Sequence, residues 1–311
     1  MNENRVVSQS CDAADHVLWF VTDITEAPHR PWAHSPEQRP TSFLRQSTRM
    51  LAKENALQPE EHVRSYFEML FRLWGHQHWW PAQSSFEVIV GAFLTQNTSW
   101  SNVERALGKL REAKLLSVQG IRSTPLPKLE RLIRSAGYFR QKSRRLKAFV
   151  RFLDEHYRGS LARMFAQPTA KLRAELLALN GIGPETADSI LLYAGNHPVF
   201  VVDAYTRRIQ ERHELIPAKA TYEEIRELFE RALGPEAEKF LTIASSASLP
   251  VSGASGSSHT PSRMSLSRRN ASAQVFNEMH GLIVGVGKNF CKKSQPQCEQ
   301  CPLKKFLPRA Q

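Results

Sequence analysis

Residues 176–209 read LLALNGIGPETADSILLYAGNHPVFVVDAYTRRI, and this stretch decides the fold class. Leu172, Leu176, Leu177 and Leu179 lay an apolar stripe along one helix. Ala187, Ile190, Leu191 and Ala194, spaced i, i+3, i+4, i+7, lay another along a second. Between them Gly181 and Gly183 are expected to make a turn that other residues enter only under strain. Pro184 suits the first position of the helix that follows, where no backbone donor is missed. The apolar run Val199 to Val202 leads to Asp203, and a third helix opens through Tyr205 and Ile209. A turn of this kind leaves free N–H groups at a helix N-terminus with the positive end of the dipole behind them, a ready seat for phosphate. It is not a nucleotide P-loop, which needs a Lys-Ser/Thr pair after the second glycine.

The charge balance points to the same kind of partner. Lys and Arg total 42 against 30 Asp and Glu in 311 residues, a formal charge of +12 that attracts a polyanion, nucleic acid first. An anionic membrane is the weaker candidate, since no basic amphipathic helix stands apart for it. No apolar run approaches the roughly 18 residues of a membrane span. Glu3, Arg5, Asp12 and Asp15 leave no clean apolar core for a signal peptide. Four cysteines, three of them bunched near the C-terminus, suggest a metal or cluster site in a reducing compartment, not a disulfide frame.

Along the chain, residues 1–60 are expected to be a poorly ordered extension: VLWFV at 17–21 is a possible strand, but the Pro-rich polar segment after it is not core-forming. Met50 offers an alternative start. Helical periodicity begins at Glu61 (Val63, Tyr66, Phe67, Leu70, Leu73), and a well-buried helix follows HQHWWP at 76–81 and ends in LTQNTSW at 94–100. Ser101 or Asn102 is expected to cap the next. Residues 128–151 hold nine Lys or Arg and one Glu, with the cations expected on the solvated sides of two helices joined by Gly137-Tyr138-Phe139. A further amphipathic region spans 222–243. Residues 244–273, with eleven serines and no periodicity, are expected to be a disordered insertion. Helix resumes at Val275 and runs into the cysteine segment 291–307.

The motif L-N-G-I-G-P-E-T-A (179–187), with V-D-A-Y-T-R-R beginning sixteen residues after Thr186, resembles the helix-hairpin-helix plus Gly/Pro…Asp (HhH-GPD) signature of the endonuclease III superfamily of DNA base-excision glycosylases. The resemblance covers roughly residues 60 to 307. It implies an all-α, two-lobed fold with a C-terminal cysteine loop, one lobe continuous over about 82–202, the core made of 61–243 plus 274–290. It also implies double-stranded DNA as partner, held at the hairpin through Leu179, Gly181, Gly183 and Thr186. Asp203 matches the catalytic aspartate, which stabilises an oxocarbenium-like sugar or activates water; as a residue type it is equally a good helix cap. Glu185 stands where members that also cut the backbone carry a Schiff-base lysine, so the resemblance implies a monofunctional enzyme.

WWP (79–81), LTQNTSW (94–100) and GIGPETAD (181–188) together resemble the 3-methyladenine glycosylase branch. There Trp79, Trp80, Trp100 and Glu185 correspond to base-pocket residues, and a carboxylate among aromatic faces favours a cationic N-alkylated purine; core packing is the alternative for the tryptophans. Gln96 resembles the residue that fills the gap left by a flipped base, or else it caps or bridges helices. Tyr138 or Phe139 resembles the wedge that enters the duplex. Cys291, Cys298 and Cys301 resemble the family's iron–sulfur loop, but the fourth cysteine's place holds Leu307. A [4Fe–4S] cluster with a non-Cys ligand, a zinc site completed by His, or a loop held by packing all remain open. Lys288, Lys292, Lys293, Lys304 and Lys305 suit a phosphate-facing rim. The expectation is a monomeric, cytoplasmic, nucleoid-associated DNA glycosylase. Oxidised pyrimidine or mismatched adenine is the alternative substrate, and a non-catalytic helix-hairpin-helix DNA-binding module the alternative of another class.

Overall fold

A computed structural model describes residues 58–246 and 259–308. Among the described residues every regular element is helical, as the periodicity implies. One lobe holds α2 (Ser85–Thr95), α3 (Trp100–Glu112), α4 (Val118–Ser123), α5 (Leu126–Leu132), α6 (Phe139–Tyr157), α7 (Leu161–Phe165), α8 (Thr169–Leu177) and α9 (Pro184–Ser189). The other packs α1 (Pro59–Trp74) with α10 (Ala204–Arg212), α11 (Tyr222–Leu233), α12 (Ala237–Ser246) and α13 (Ala271–Asn289). Two helices are apolar nearly all round and form the centres of the lobes. In α2 every residue from Phe86 to Leu94 is buried, and in α13 every residue from Val275 to Gly287 is buried. The cap of α3 is Ser99, two residues earlier than Ser101, so Trp100 opens that helix.

The hairpin is fastened from within. Arg173 on α8 grips fully buried Asp188 on α9 through Nε–Oδ1 (2.7 Å) and Nη2–Oδ2 (3.0 Å), and reaches Glu223 at the start of α11 at 2.7 Å. A bidentate guanidinium–carboxylate pair resists rotation as well as separation, so it sets the angle between the two hairpin helices. Helix α9 continues as a single π-helical turn, Ile190–Ala194, wholly buried, which turns Tyr193 toward the junction of the lobes.

Three expectations need correcting. Lys142, counted among the solvated cations, is buried: its Nζ donates to the carbonyls of Leu94 (2.9 Å) and Ala136 (2.7 Å), and burial lowers it to about 8. It ties the end of α2 to the loop before α6. The serine-rich segment is not wholly without structure. Residues 259–270 pack on the first lobe: the N–H groups of His259 and Met264 donate to the carbonyls of Gln77 (3.1 Å) and Ala82 (3.0 Å), and Ser262 Oγ accepts from the Ala82 N–H at 3.2 Å. Short polar side chains serve there because they supply hydrogen bonds to the irregular backbone of 77–82, as Ser262 does. Gly183 is not in a strained conformation (below). The expectations for residues 1–57, VLWFV included, and for 247–258 lie outside the described residues.

Candidate active site

Between the lobes lies a cleft of about 940 Å³ lined by Trp79, Trp80, Gln96, Trp100, the hairpin residues Gly181 to Thr186, and Asp203. Residues from four separate parts of the chain thus meet in one space. At the hairpin the two glycines act differently. Gly181 has φ +83, which favours glycine, and a Cβ there would lie 2.0 Å from Arg145 Nε, so that side chain would have to move. Gly183 has φ −93 and ψ 177, which any residue adopts, and a Cβ would meet nothing within 4 Å. What Gly183 supplies is open space in front of the N-terminus of α9.

Gln96 ends α2 and is committed at both ends of its amide. Its Nε2 donates to Gly181 O (3.0 Å) and Thr186 Oγ1 (2.9 Å), and its Oε1 accepts from Arg145 at 2.7 Å. In this structure it is a bridge between the helix end and the hairpin. Of the wedge pair, Tyr138 is the tip: φ is 44 and 65 % of its surface is exposed. Phe139 opens α6, packs against the core and lies between the guanidinium groups of Arg134 and Arg140, each 5.9 Å from its ring centre.

Asp203 satisfies both readings offered for it. Oδ1 caps α10, accepting from Thr206 N (2.7 Å) and Thr206 Oγ1 (2.9 Å). Oδ2 is free of the cap, and His280 Nε2 stands 3.7 Å from it. One carboxylate can do both because a cap uses a single lone-pair direction. Glu185 faces the same cleft, and its side chain is open to solvent on one side. The surrounding protein raises its carboxyl to about 7, with the charge of Asp203 adding to the rise. The two acids share a site in which one readily holds a proton near neutrality.

The tryptophans are partly core and partly lining. Trp80 is 6 % exposed, with its ring 5.2 Å from Tyr193 and edge-on to Trp100 at 5.1 Å; Gly91 opposite leaves it room, since a Cβ would come within 3.2 Å of the indole. Trp100 Nε1 donates to Glu104 at 2.7 Å. Trp79 lies against His259 (5.1 Å) and His280 (5.5 Å), with Lys288 Nζ 6.0 Å from its ring centre. His259, His280, Tyr193, Tyr205 and Tyr222 were not legible as site residues. His280, Val284 and Lys288 recur every four residues on α13 and line one side of the cleft. That spacing is visible in sequence; which face of a helix buried nearly all round meets the cleft is not.

Cys291, Cys298 and Cys301 line one small cavity with Arg212, His213 and Leu307. Among the described residues no group of three metal-ligating side chains forms a metal site. A cubane cluster takes four thiolates, and here the carbon side chain of Leu307 shares the cavity with three. Arg212 instead holds the loop: Nη1 donates to Cys291 Sγ (3.2 Å) and Lys292 O (2.7 Å), and Nη2 to Lys293 O (2.9 Å). Arg208 adds a bond from Nε to Cys291 O at 2.7 Å. The described residues offer three thiols and do not fit a four-cysteine cluster. Both arginines stand on α10, the helix that Asp203 caps.

An all-helical, two-lobed chain with a glycine hairpin facing an aspartate across an aromatic cleft defines a class, and comparison with known proteins identifies it. Residues 90–235 match the HhH-GPD superfamily of base excision DNA repair proteins. The chain is 40 % identical over 256 residues to MJ1434 of Methanocaldococcus jannaschii, named as a candidate DNA repair glycosylase, covering 82 % of this chain and 98 % of that one. It is 26 % identical over 219 residues to endonuclease III of Thermotoga maritima, covering 70 % and 80 %. The crystal structure of Helicobacter pylori 3-methyladenine DNA glycosylase MagIII bound to 1,N6-ethenoadenine superposes with a TM-score of 0.58 at 26 % identity, covering 75 % of this chain and 98 % of that one. The chain belongs to the HhH-GPD family of DNA repair glycosylases. No helix among the described residues is long and apolar enough to cross a membrane.

Proposed function

We propose that the protein hydrolyses the N-glycosidic bond of a damaged base in double-stranded DNA, an N-alkylated purine by preference, and leaves an abasic site without cutting the strand. The observation that carries this reading is Asp203: one oxygen caps α10 while the other is left free in the aromatic cleft beside the hairpin. A base extruded from the duplex would be gripped by ring stacking, with Trp79, Trp80 and Trp100 at hand. As the C1′–N bond breaks, the electron pair leaves with the base and positive charge builds on the sugar, where the free oxygen of Asp203 offsets it. Water adds to C1′ and yields its proton to a nearby carboxylate. Backbone N–H groups at the start of α9, open because Gly183 carries no side chain, suit a phosphate of the strand. Tyr138, an exposed ring at a loop tip, suits the part of a wedge.

Glu185 supports both finer parts of the reading. A carboxyl cannot form a Schiff base with an abasic sugar. A cationic base entering the cleft would favour its ionised form and be held by it, whereas a neutral base leaves it free to keep the proton. MagIII, whose name states action on an alkylated purine, is among the similar structures.

The test is base release from duplexes carrying an alkylated purine, an oxidised pyrimidine or mismatched adenine, wild type beside Asp203→Asn. Release of the alkylated purine by wild type, falling at least about 100-fold in the variant, is the expected result. Release confined to another base would move the substrate, and no release with DNA binding retained would leave a binding module. A borohydride-trapped adduct would refute the absence of lyase chemistry and implicate Lys288, a lysine that lines the cleft.

A further inference from the structure

The geometry points to His280 as a positioning residue for Asp203: its Nε2–H donates to Oδ2 when a nucleotide occupies the cleft, holding that oxygen aimed at the sugar. The inference rests on the glycosylase reading and adds a group that neither the motif nor the comparisons assign. His280 is 4 % exposed, and neither ring nitrogen has a hydrogen-bond partner in the structure. A buried imidazole with both nitrogens unsatisfied is costly unless a partner arrives. Oδ2 of Asp203, at 3.7 Å, is close enough that a small shift completes the bond. The ring is already aimed, held among Trp79 (5.5 Å), Tyr193 (5.8 Å) and Phe200 (6.4 Å).

The charges around it decide the direction of donation. Asp203 faces it from α10, Tyr193 from the π turn after α9, and Lys288 from its own helix, two turns on. Burial pushes the imidazole down, Asp203 pulls it up and Lys288 pushes it down again, and the net is a lowered, neutral ring. A neutral ring has one N–H to give, and Oδ2 is the acceptor in reach.

This donor also divides labour between the two acids. The charge of Asp203 helps to raise the Glu185 carboxyl, and no hydrogen bond holds Glu185 among the described residues. With Thr206 already on Oδ1, a His280 bond to Oδ2 would hold both oxygens of Asp203 in place while Glu185 is left without a donor, the kind of difference in surroundings by which paired carboxyls take different roles.

The test reads binding, so it does not depend on turnover. Two duplexes are compared on the full chain: one carries a protonated pyrrolidine in place of the sugar, a mimic of the cationic transition state, the other a neutral tetrahydrofuran. Wild type should prefer the cationic duplex and Asp203→Asn should lose that preference. His280→Phe, which keeps a ring, should lose about 10-fold of it, the worth of one charge-assisted bond. His280→Gln, which keeps a donor, should retain most of it. A His280→Phe variant with its preference intact beside an Asp203→Asn variant that has lost it overturns the inference alone. A wild type with no preference and no base release overturns the glycosylase reading, and this inference with it. Should the Phe variant fold poorly, a Gln variant that loses the preference equally overturns the donor role.

Discussion

Replacing Glu185 by Gln should stabilise the folded protein, and only above acidic pH. The folded structure raises this carboxyl from the ordinary 4.5 to about 7, chiefly by the loss of water around it in the cleft and then by the charge of Asp203. Below pH 4.5 the acid is protonated in both folded and unfolded chains, and Gln is nearly isosteric with it, so the two proteins should be equally stable. Between pH 4.5 and 7 the unfolded chain releases the proton and the folded one keeps it, so wild-type stability falls relative to the variant. Above 7 the difference is constant. Taken whole, the rise corresponds to about 3 kcal/mol. The side chain keeps one face to water, and screening there brings the figure to about 1 kcal/mol, or about 2–4 °C in midpoint. Urea denaturation of both proteins at pH 4 and pH 8 measures it. A variant no more stable than wild type at pH 8, or equally stabilised at both pH values, would refute the argument that the cleft strains this acid. A strained carboxyl kept at such a place is the usual signature of a site maintained for function at some expense in stability.

Other outcomes follow from the same geometry. Gly181→Ala forces a Cβ into Arg145 at positive φ and should cost about 1–3 kcal/mol in denaturation experiments, whereas Gly183→Ala should leave stability unchanged and weaken duplex binding; a destabilised Gly183→Ala protein would sink the view that its glycine serves the partner. Tyr138→Ala, at a 65 % exposed tip, should keep the melting temperature within about 1 °C, a surface change being worth within about 0.5 kcal/mol, and lower base release. Arg212→Ala should destabilise the cysteine loop by about 2 kcal/mol, read by hydrogen exchange of residues 291–307, and a chelator should not change the wild-type melting curve; four irons per chain by metal analysis would overturn that account of the loop.

Most of the helices were legible because their apolar faces repeat at helical spacing, and a buried face leaves the same trace wherever the helix packs. The hairpin and Asp203 were legible for a different reason: a positive-φ glycine, a proline at the first helical position and a capping acid are local requirements, met by neighbours in sequence. Lys142 shows the limit of such reading. It lies in a run of cations, and only the carbonyls of Leu94 and Ala136, brought in from two other segments, make it a buried strut. Residues 259–270 show the same limit in reverse, since serine-rich composition hides bonds made to a backbone nearly 180 residues earlier.

The sequence by itself therefore determined an all-helical chain, a glycine hairpin, an acid at position 203 and a glutamate in the turn at 185. Only the tertiary structure decided that Gln96 is a bridge, that Tyr138 and not Phe139 is the exposed ring, that Glu185 is raised by its surroundings, and that His280 stands 3.7 Å from the free oxygen of Asp203. The first set depends on backbone geometry within a few residues; the second depends on distances and burial across lobes, which no periodicity along the chain encodes.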